Sequence, residues 1–167
     1  MSIVVQIEPP TRAPAEVDYR WDADTDILTA NCRATAVSEG TSDTVELTGN
    51  DGSWLVLDVA SGSIAGIEVA VWPDVRKVAA LLPPADAVED ARLVIPARSP
   101  VRDVSLDADA PLVAEADQTE RTIHFRLGRQ RSSRTVRIAR DILIEVDRRN
   151  TIAGVWLLNV PPFPADA

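Results

Sequence analysis

Hydrophobic residues along this chain come in short runs, often at every second position, with Gly, Pro, Asn and Asp between the runs. Val45 and Leu47 alternate with Thr44, Glu46 and Thr48, and Ile123, Phe125 and Leu127 alternate with Thr122, His124 and Arg126. A period of two marks strands that bury one face. In the first half the pattern predicts strands over 3–8, 16–21, 26–34, 43–48, 53–59 and 64–72. Gly49-Asn50-Asp51-Gly52 sets a turn between two of them. The segment from Asp74 to Leu82, ahead of Pro83-Pro84, predicts one short helix that the prolines end. No other segment offers a crossover helix, so antiparallel pairing is expected throughout.

The second half repeats part of this pattern. Leu55-Val56-Leu57, Ile64-Ala65-Gly66-Ile67 and Pro73 return 88 residues later as Leu143-Ile144-Glu145, Ile152-Ala153-Gly154-Val155 and Pro161. Ala60-Ser61-Gly62-Ser63 and Arg148-Arg149-Asn150-Thr151 are the intervening turns, and Gly62 matches Asn150. Those two residue types best tolerate positive φ, so each copy reads as a β-hairpin. Upstream, Ile3-Val4-Val5 with Pro10 and Arg12 matches Leu93-Val94-Ile95 with Pro100 and Arg102, at an offset of 90. The chain therefore reads as all-β with minor α: two pseudo-symmetric antiparallel β units in a sandwich or barrel-like body, with one short connecting helix. The units span 1–75 and 91–167, and 76–90 is a helical, proline-containing linker.

Trp21-Asp22-Ala23-Asp24-Thr25-Asp26-Ile27-Leu28 has an aromatic-Asp-x-x-x-Asp-x-Leu form. Leu55-Val56-Leu57-Asp58 and then Gly62-Ser63-Ile64-Ala65-Gly66-Ile67-Glu68-Val69 form a hairpin closing on Gly-Ile-Glu. With these two pieces, residues 19–70 resemble the bacterial family known as domain of unknown function 2283. The resemblance implies the β fold and a bacterial source, and it carries no activity. In the second copy Val146 stands in line with Asp58 and Trp156 with Glu68, so a site built on those carboxylates is expected in the first copy alone.

Composition narrows the reading. Apolar residues make up 46% and aromatics only 4%, which suits a core of branched aliphatics. No run approaches the roughly 20 apolar residues of a membrane span. The opening run has no basic residues before it and is too short for a secretory leader. The single cysteine, Cys32, cannot form an internal disulfide and reads as a small core residue. A cytoplasmic location is the expectation. Net charge is −9, and it is uneven: residues 1–77 hold 5 Lys/Arg against 13 Asp/Glu, whereas 78–167 hold 12 against 13. An acidic first half favours basic protein partners over nucleic acid or an anionic membrane.

Chemistry is sparse. With His124 the sole histidine, multi-histidine metal sites are excluded; on the polar side of a strand it reads as a surface residue, so a catalytic triad with histidine as base is not expected. Asp22, Asp24 and Asp26 are candidate metal ligands by their spacing, but Ile27 and Arg33 stand where a calcium loop needs Gly and Glu, so a turn capped by Asp side chains is expected. Asp107 and Asp109 read the same way. Glu46, Asp58 and Glu68 are the candidate catalytic carboxylates, and burial between Ile67 and Val69 is expected to raise the pKa of Glu68. No phosphate loop, dinucleotide fingerprint or nucleophile elbow is present, and no cofactor is expected.

Arg126, Arg129, Arg131, Arg134, Arg137 and Arg140 crowd fifteen residues. If 121–127 paired with 135–140, this Arg-rich hairpin, 126–140, could bind phosphate backbone, or it could pair with the acidic first unit. Trp54, beside a glycine turn, is the tryptophan expected at the surface, and the tail Val160-Pro161-Pro162-Phe163-Pro164 could dock as an extended segment. The leading expectation is a non-enzymatic protein-binding or assembly module acting through a complex, by a protein partner or self-association, with Trp54 and Arg126, Arg129, Arg131, Arg134 and Arg137 as binding residues. A small carboxylate-dependent hydrolase and nucleic-acid binding through the arginines are the alternatives.

Overall fold

The computed structural model describes residues 3–33, 42–85, 88–96, 103–105 and 111–164. The first half forms β1 (Gln6–Glu8), β2 (Val17–Asp22), β3 (Ile27–Cys32), β4 (Ser42–Thr48), β5 (Trp54–Ala60) and β6 (Ser63–Val71). Short strands β7 (Val75–Lys77), β8 (Glu89–Asp90), β9 (Arg92–Val94) and β10 (Asp103–Ser105) follow. The second half adds β11 (Leu112–Ala116), β12 (Ile123–Leu127), β13 (Ser133–Ala139), β14 (Ile142–Asp147) and β15 (Ile152–Leu157). No helix occurs among the described residues.

The strands form two sheets with the same central order. In the first, the β2–β3 hairpin joins the β4–β5–β6 meander where β3 lies antiparallel to β6. In the second, the β11–β12 hairpin joins the β13–β14–β15 meander where β12 lies antiparallel to β15. Both are Greek keys, because the strand that follows each hairpin starts on the far side of the meander.

The central hairpins explain the Ile-Ala-Gly motif. Ser61 (φ 52°) and Gly62 (φ 82°) make a tight turn, whereas the second hairpin uses a longer turn with Asn150 at φ 60°. Asp58 faces Gly66 and then Val59 faces Ile64; Glu145 faces Gly154 and then Val146 faces Ile152. Each strand thus bulges at the alanine of the motif, Ala65 or Ala153, while the glycine lies under a carboxylate.

The two halves are interlaced. β1 lies antiparallel to β9, and each continues onto the turn of the other half's hairpin. Val4 bridges Thr151 and Val5 N–H donates to Asn150 O at 2.8 Å. In the matching place Val94 pairs with Ser63 and Ile95 N–H donates to Gly62 O at 2.8 Å. Downstream of β6 the chain crosses to the second sheet, where β7 pairs with β11. Downstream of β15 it crosses to the first: Tyr19 donates to Leu158 O at 2.6 Å and Trp21 Nε1 to Pro161 O at 2.9 Å. Trp21 stacks on Trp72 (centroids 5.7 Å apart) and meets Phe163 edge-on at 5.1 Å. Apolar side chains from both sheets, among them Leu28, Leu55, Ile67, Phe125, Ile144 and Leu157, form one buried cluster. The body is sandwich-like, with no closed barrel among the described strands.

Three expectations fail here. The helix over Asp74–Leu82 is absent: Val75-Arg76-Lys77 is extended against Ala114–Ala116, because the open edge of β11 accepts backbone bonds that an isolated turn of helix could not match. Pairing is not wholly antiparallel either, since β7, β8 and β10 add parallel to β11, β13 and β4. Each is a short segment laid on a sheet edge by the long crossing between halves, so no crossover helix is required. The Arg-rich hairpin also does not form, because β14 and β15 lie between β12 and β13.

Candidate functional site

Alternation along β3–β6 turns one set of side chains to the core and the other outward. The outward row across the first sheet runs Arg20, Thr29, Glu68, Val56 and Glu46. Asp58 stands one row over, opposite Gly66 and Thr44, and so diagonal to both Glu46 and Glu68. All three candidate carboxylates therefore share the outer face. Glu46 and Glu68 are two strands apart, about 9–10 Å at the backbone. Asp58 and Glu68 share no hydrogen bond, and neither makes an ion pair among the described residues. Burial raises the pKa of Asp58.

The same face carries apolar surface. Trp54 stands opposite Val71 and both are exposed, Trp54 by 37%. A depression of about 440 Å³ lies beside Glu68, lined also by Arg20, Asp22, Ile27 and Thr29. Asp22 accepts from Asp24 N–H at 3.0 Å and caps its own turn, which Asp26 closes at φ 60°. Among the described residues no three His, Cys, Asp or Glu side chains converge as metal ligands. Asp107 and Asp109 lie outside the described residues.

The corresponding face of the second sheet holds a cluster that the sequence did not reveal. Register places Glu145, not Val146, in the position of Asp58, since each faces the motif glycine. Trp156 does take the place of Glu68, and His124 that of Thr29. His124 is only 16% exposed: its Nε2 bonds to Glu145 Oε1 and its ring stacks on Trp156 at 4.2 Å. Trp156 Nε1 donates to Glu145 Oε1 at 3.1 Å and Ser133 Oγ to Oε2 at 3.2 Å. Burial works to raise the Glu145 pKa, but the bonds from His124, Ser133 and Trp156 outweigh it and hold it low. The surface reading of His124 is thus corrected: the wide Trp156 ring covers it. Ser133 bonds to the carboxylate rather than to the imidazole, so the order of a serine–histidine–acid relay is not met. An 87-residue spacing for this one strand pair, against 88 for its neighbour, was the signal that could have found Glu145.

The arginines serve mostly inside the chain. Arg131 is a staple: Nε donates to Asp147 at 2.6 Å, Nη1 to Leu127 O at 2.8 Å, and Nη2 to Ile152 O at 3.0 Å. Arg134 pairs with Glu89, Arg137 with Asp90 at 3.7 Å, and Arg140 with Glu16 of the first half at 3.2 Å. Arg126 Nε donates to Gly128 O at 3.2 Å, and Arg129 is exposed at the bend that follows. They spread along a crossing segment rather than over one face. A comparison of the chain with protein families and with curated proteins returns no match.

Proposed function

We propose that the protein is a non-enzymatic binding module that works within a complex, docking a basic segment of a partner protein on the outer face of its first sheet. One observation carries this reading: Asp58 and Glu68, which make no ion pair among the described residues, share the outer face with exposed Trp54 and Val71, whereas Glu145, on the equivalent face, is saturated by its own neighbours. Unpaired carboxylates next to an exposed aromatic suit a partner that offers Lys or Arg with an apolar side chain between them. The reading takes the chain as a tandem repeat, in the manner of the domain of unknown function 2283 resemblance, with the first copy keeping an open face and the second closing its own. It places the protein in the bacterial cytoplasm.

The hydrolase alternative is less well supported, because no proton-sharing pair joins Asp58 and Glu68. Nucleic-acid binding is less well supported because Arg131, Arg134, Arg137 and Arg140 are engaged by carboxylates. The test is capture from nuclease-treated native lysate by the full chain and by a Glu46→Lys/Glu68→Lys/Trp54→Ala variant. Retention of a stoichiometric basic protein by the first and at least tenfold weaker retention by the variant supports the reading. Equal capture by both, or turnover of a small ester or glycoside abolished by Glu68→Gln, overturns it.

A further inference from the structure

The acidic docking face also carries a cation. Arg20 on β2 stands in line with Thr29 on β3 and Glu68 on β6, and all three line the depression of about 440 Å³ on that face. Neither Arg20 nor Glu68 makes an ion pair among the described residues. Arg20 has a carboxylate on each side of it along its own strand, Asp18 and Asp22, and both are exposed like Arg20 itself. Each is spent elsewhere: Asp18 accepts from Arg33 Nη2 at 2.5 Å, and Asp22 accepts from Asp24 N–H in its own turn at 3.0 Å. A guanidinium and a carboxylate are thus left at the two ends of one row, with Thr29 between them.

A uniformly basic ligand does not suit this row. Lys or Arg over Glu68 gains a partner, but a second cation near Arg20 is repelled, and like charges in apposition select against a ligand. An anion over Arg20 with a cation over Glu68 satisfies both ends. Strand spacing fixes their separation: two steps of about 4.7–4.9 Å set the two positions about 9–10 Å apart at the backbone. A polyproline II segment has three residues per turn and rises about 3.1 Å per residue, so residues i and i+3 share a face about 9.3 Å apart. Same-face residues of an extended strand recur about every 6.8 Å. Those of a helix recur at about 6 Å and about 10.5 Å, on either side of the gap. Trp21 and Ile27 add apolar wall to the depression, and aromatic-lined grooves are seats for polyproline II ligands.

We propose that the segment docked on this face is charge-ordered: a polyproline II stretch with an acidic residue over Arg20 and, three residues away, Lys or Arg over Glu68. This rests on the acidic-face reading for its site, whereas the order of charges can fail with that face still binding.

Two end-blocked synthetic peptides are the probes, Gly-Glu-Pro-Pro-Lys-Gly and Gly-Lys-Pro-Pro-Lys-Gly. Each is titrated into the isotope-labelled full chain at low ionic strength, where exposed charges are least screened, and amide shifts in the NMR spectrum give affinity and place. The parent is expected to bind the Glu-first peptide at least about threefold more tightly, with Thr29 and Glu68 shifting. Arg20→Glu, folded by circular dichroism, is expected to reverse that preference, and Glu68→Gln to weaken both peptides. Removing one proline, as in Gly-Glu-Pro-Lys-Gly, is expected to abolish the advantage of the Glu-first order. The proposal is overturned if the parent binds both six-residue peptides alike or prefers the all-Lys one. It is equally overturned if Arg20→Glu keeps the parent's preference, or if neither peptide shifts Thr29 and Glu68 at millimolar concentration. Equal binding that Glu68→Gln weakens discards the charge order alone and leaves the acidic face standing; capture from lysate that is insensitive to the triple variant discards the face itself.

Discussion

Asp147 shows how much one side chain can organise here. It is 9% exposed and accepts from Thr151 Oγ1 at 2.5 Å, Thr151 N–H at 3.0 Å, Arg149 N–H at 2.9 Å and Arg131 Nε at 2.6 Å. Burial alone would raise its pKa, but the bonds from Thr151, Arg131 and Arg149 win and bring it down to about 2. A folded pKa below the ordinary 3.8 stabilises the fold above that value, and the stabilisation is lost as pH falls toward 2. Asp147→Asn is therefore expected to cost about 2 kcal/mol in urea unfolding at pH 7, and the gap to the parent should close between pH 4 and pH 2. Gly154 tests the neighbouring cluster. A Cβ there would meet Glu145 Oε1 at 2.5 Å and Phe125 O at 3.0 Å, so Gly154→Ala should displace the Glu145–His124 bond and cost about 1–3 kcal/mol, with the His124 ring resonances shifting in the NMR spectrum. None of these roles was legible in the sequence. Asp147 and Glu145 owe their partners to register and to an arginine sixteen residues upstream in one case, and a composition of scattered Asp and Arg looks the same whether or not they meet.

At the scale of elements, local pattern carried far. The alternation of Val45 and Leu47, the Gly62 and Asn150 turns and the Ile-Ala-Gly motif locate the hairpins within a residue or two of where they form. What alternation cannot contain is which strand lies beside which: β12 and β13 are successive in sequence, yet two strands stand between them. That hidden step turned an expected arginine hairpin into a crossing. The segment downstream of β15 likewise gains its order from elsewhere. Val160 is fully buried, Pro161 O accepts from Trp21, and Phe163 packs on the same ring. Removing the chain from Val160 onward is expected to lower stability by about 2–4 kcal/mol and to shift tryptophan emission to the red, both read in one denaturant titration.

On the scale of the whole molecule, the shared apolar cluster and the exchange of β1 and β9 make the two sheets one cooperative body. The chain is expected to unfold in a single transition by circular dichroism and fluorescence together. Segments 1–75 and 91–167 made separately should each lack a cooperative transition, since each leaves its hairpin turn uncapped and its half of the core wet. Two separable transitions in the full chain would contradict this. The exchange also bears on descent. A change at Val4 or Val5 is felt first at Asn150 and Thr151, and a change at Val94 or Ile95 at Gly62 and Ser63. Selection then acts on pairs drawn from different halves of the sequence, and recombination that joined the first half of one lineage to the second half of another would deliver mismatched strands to turns they had never met.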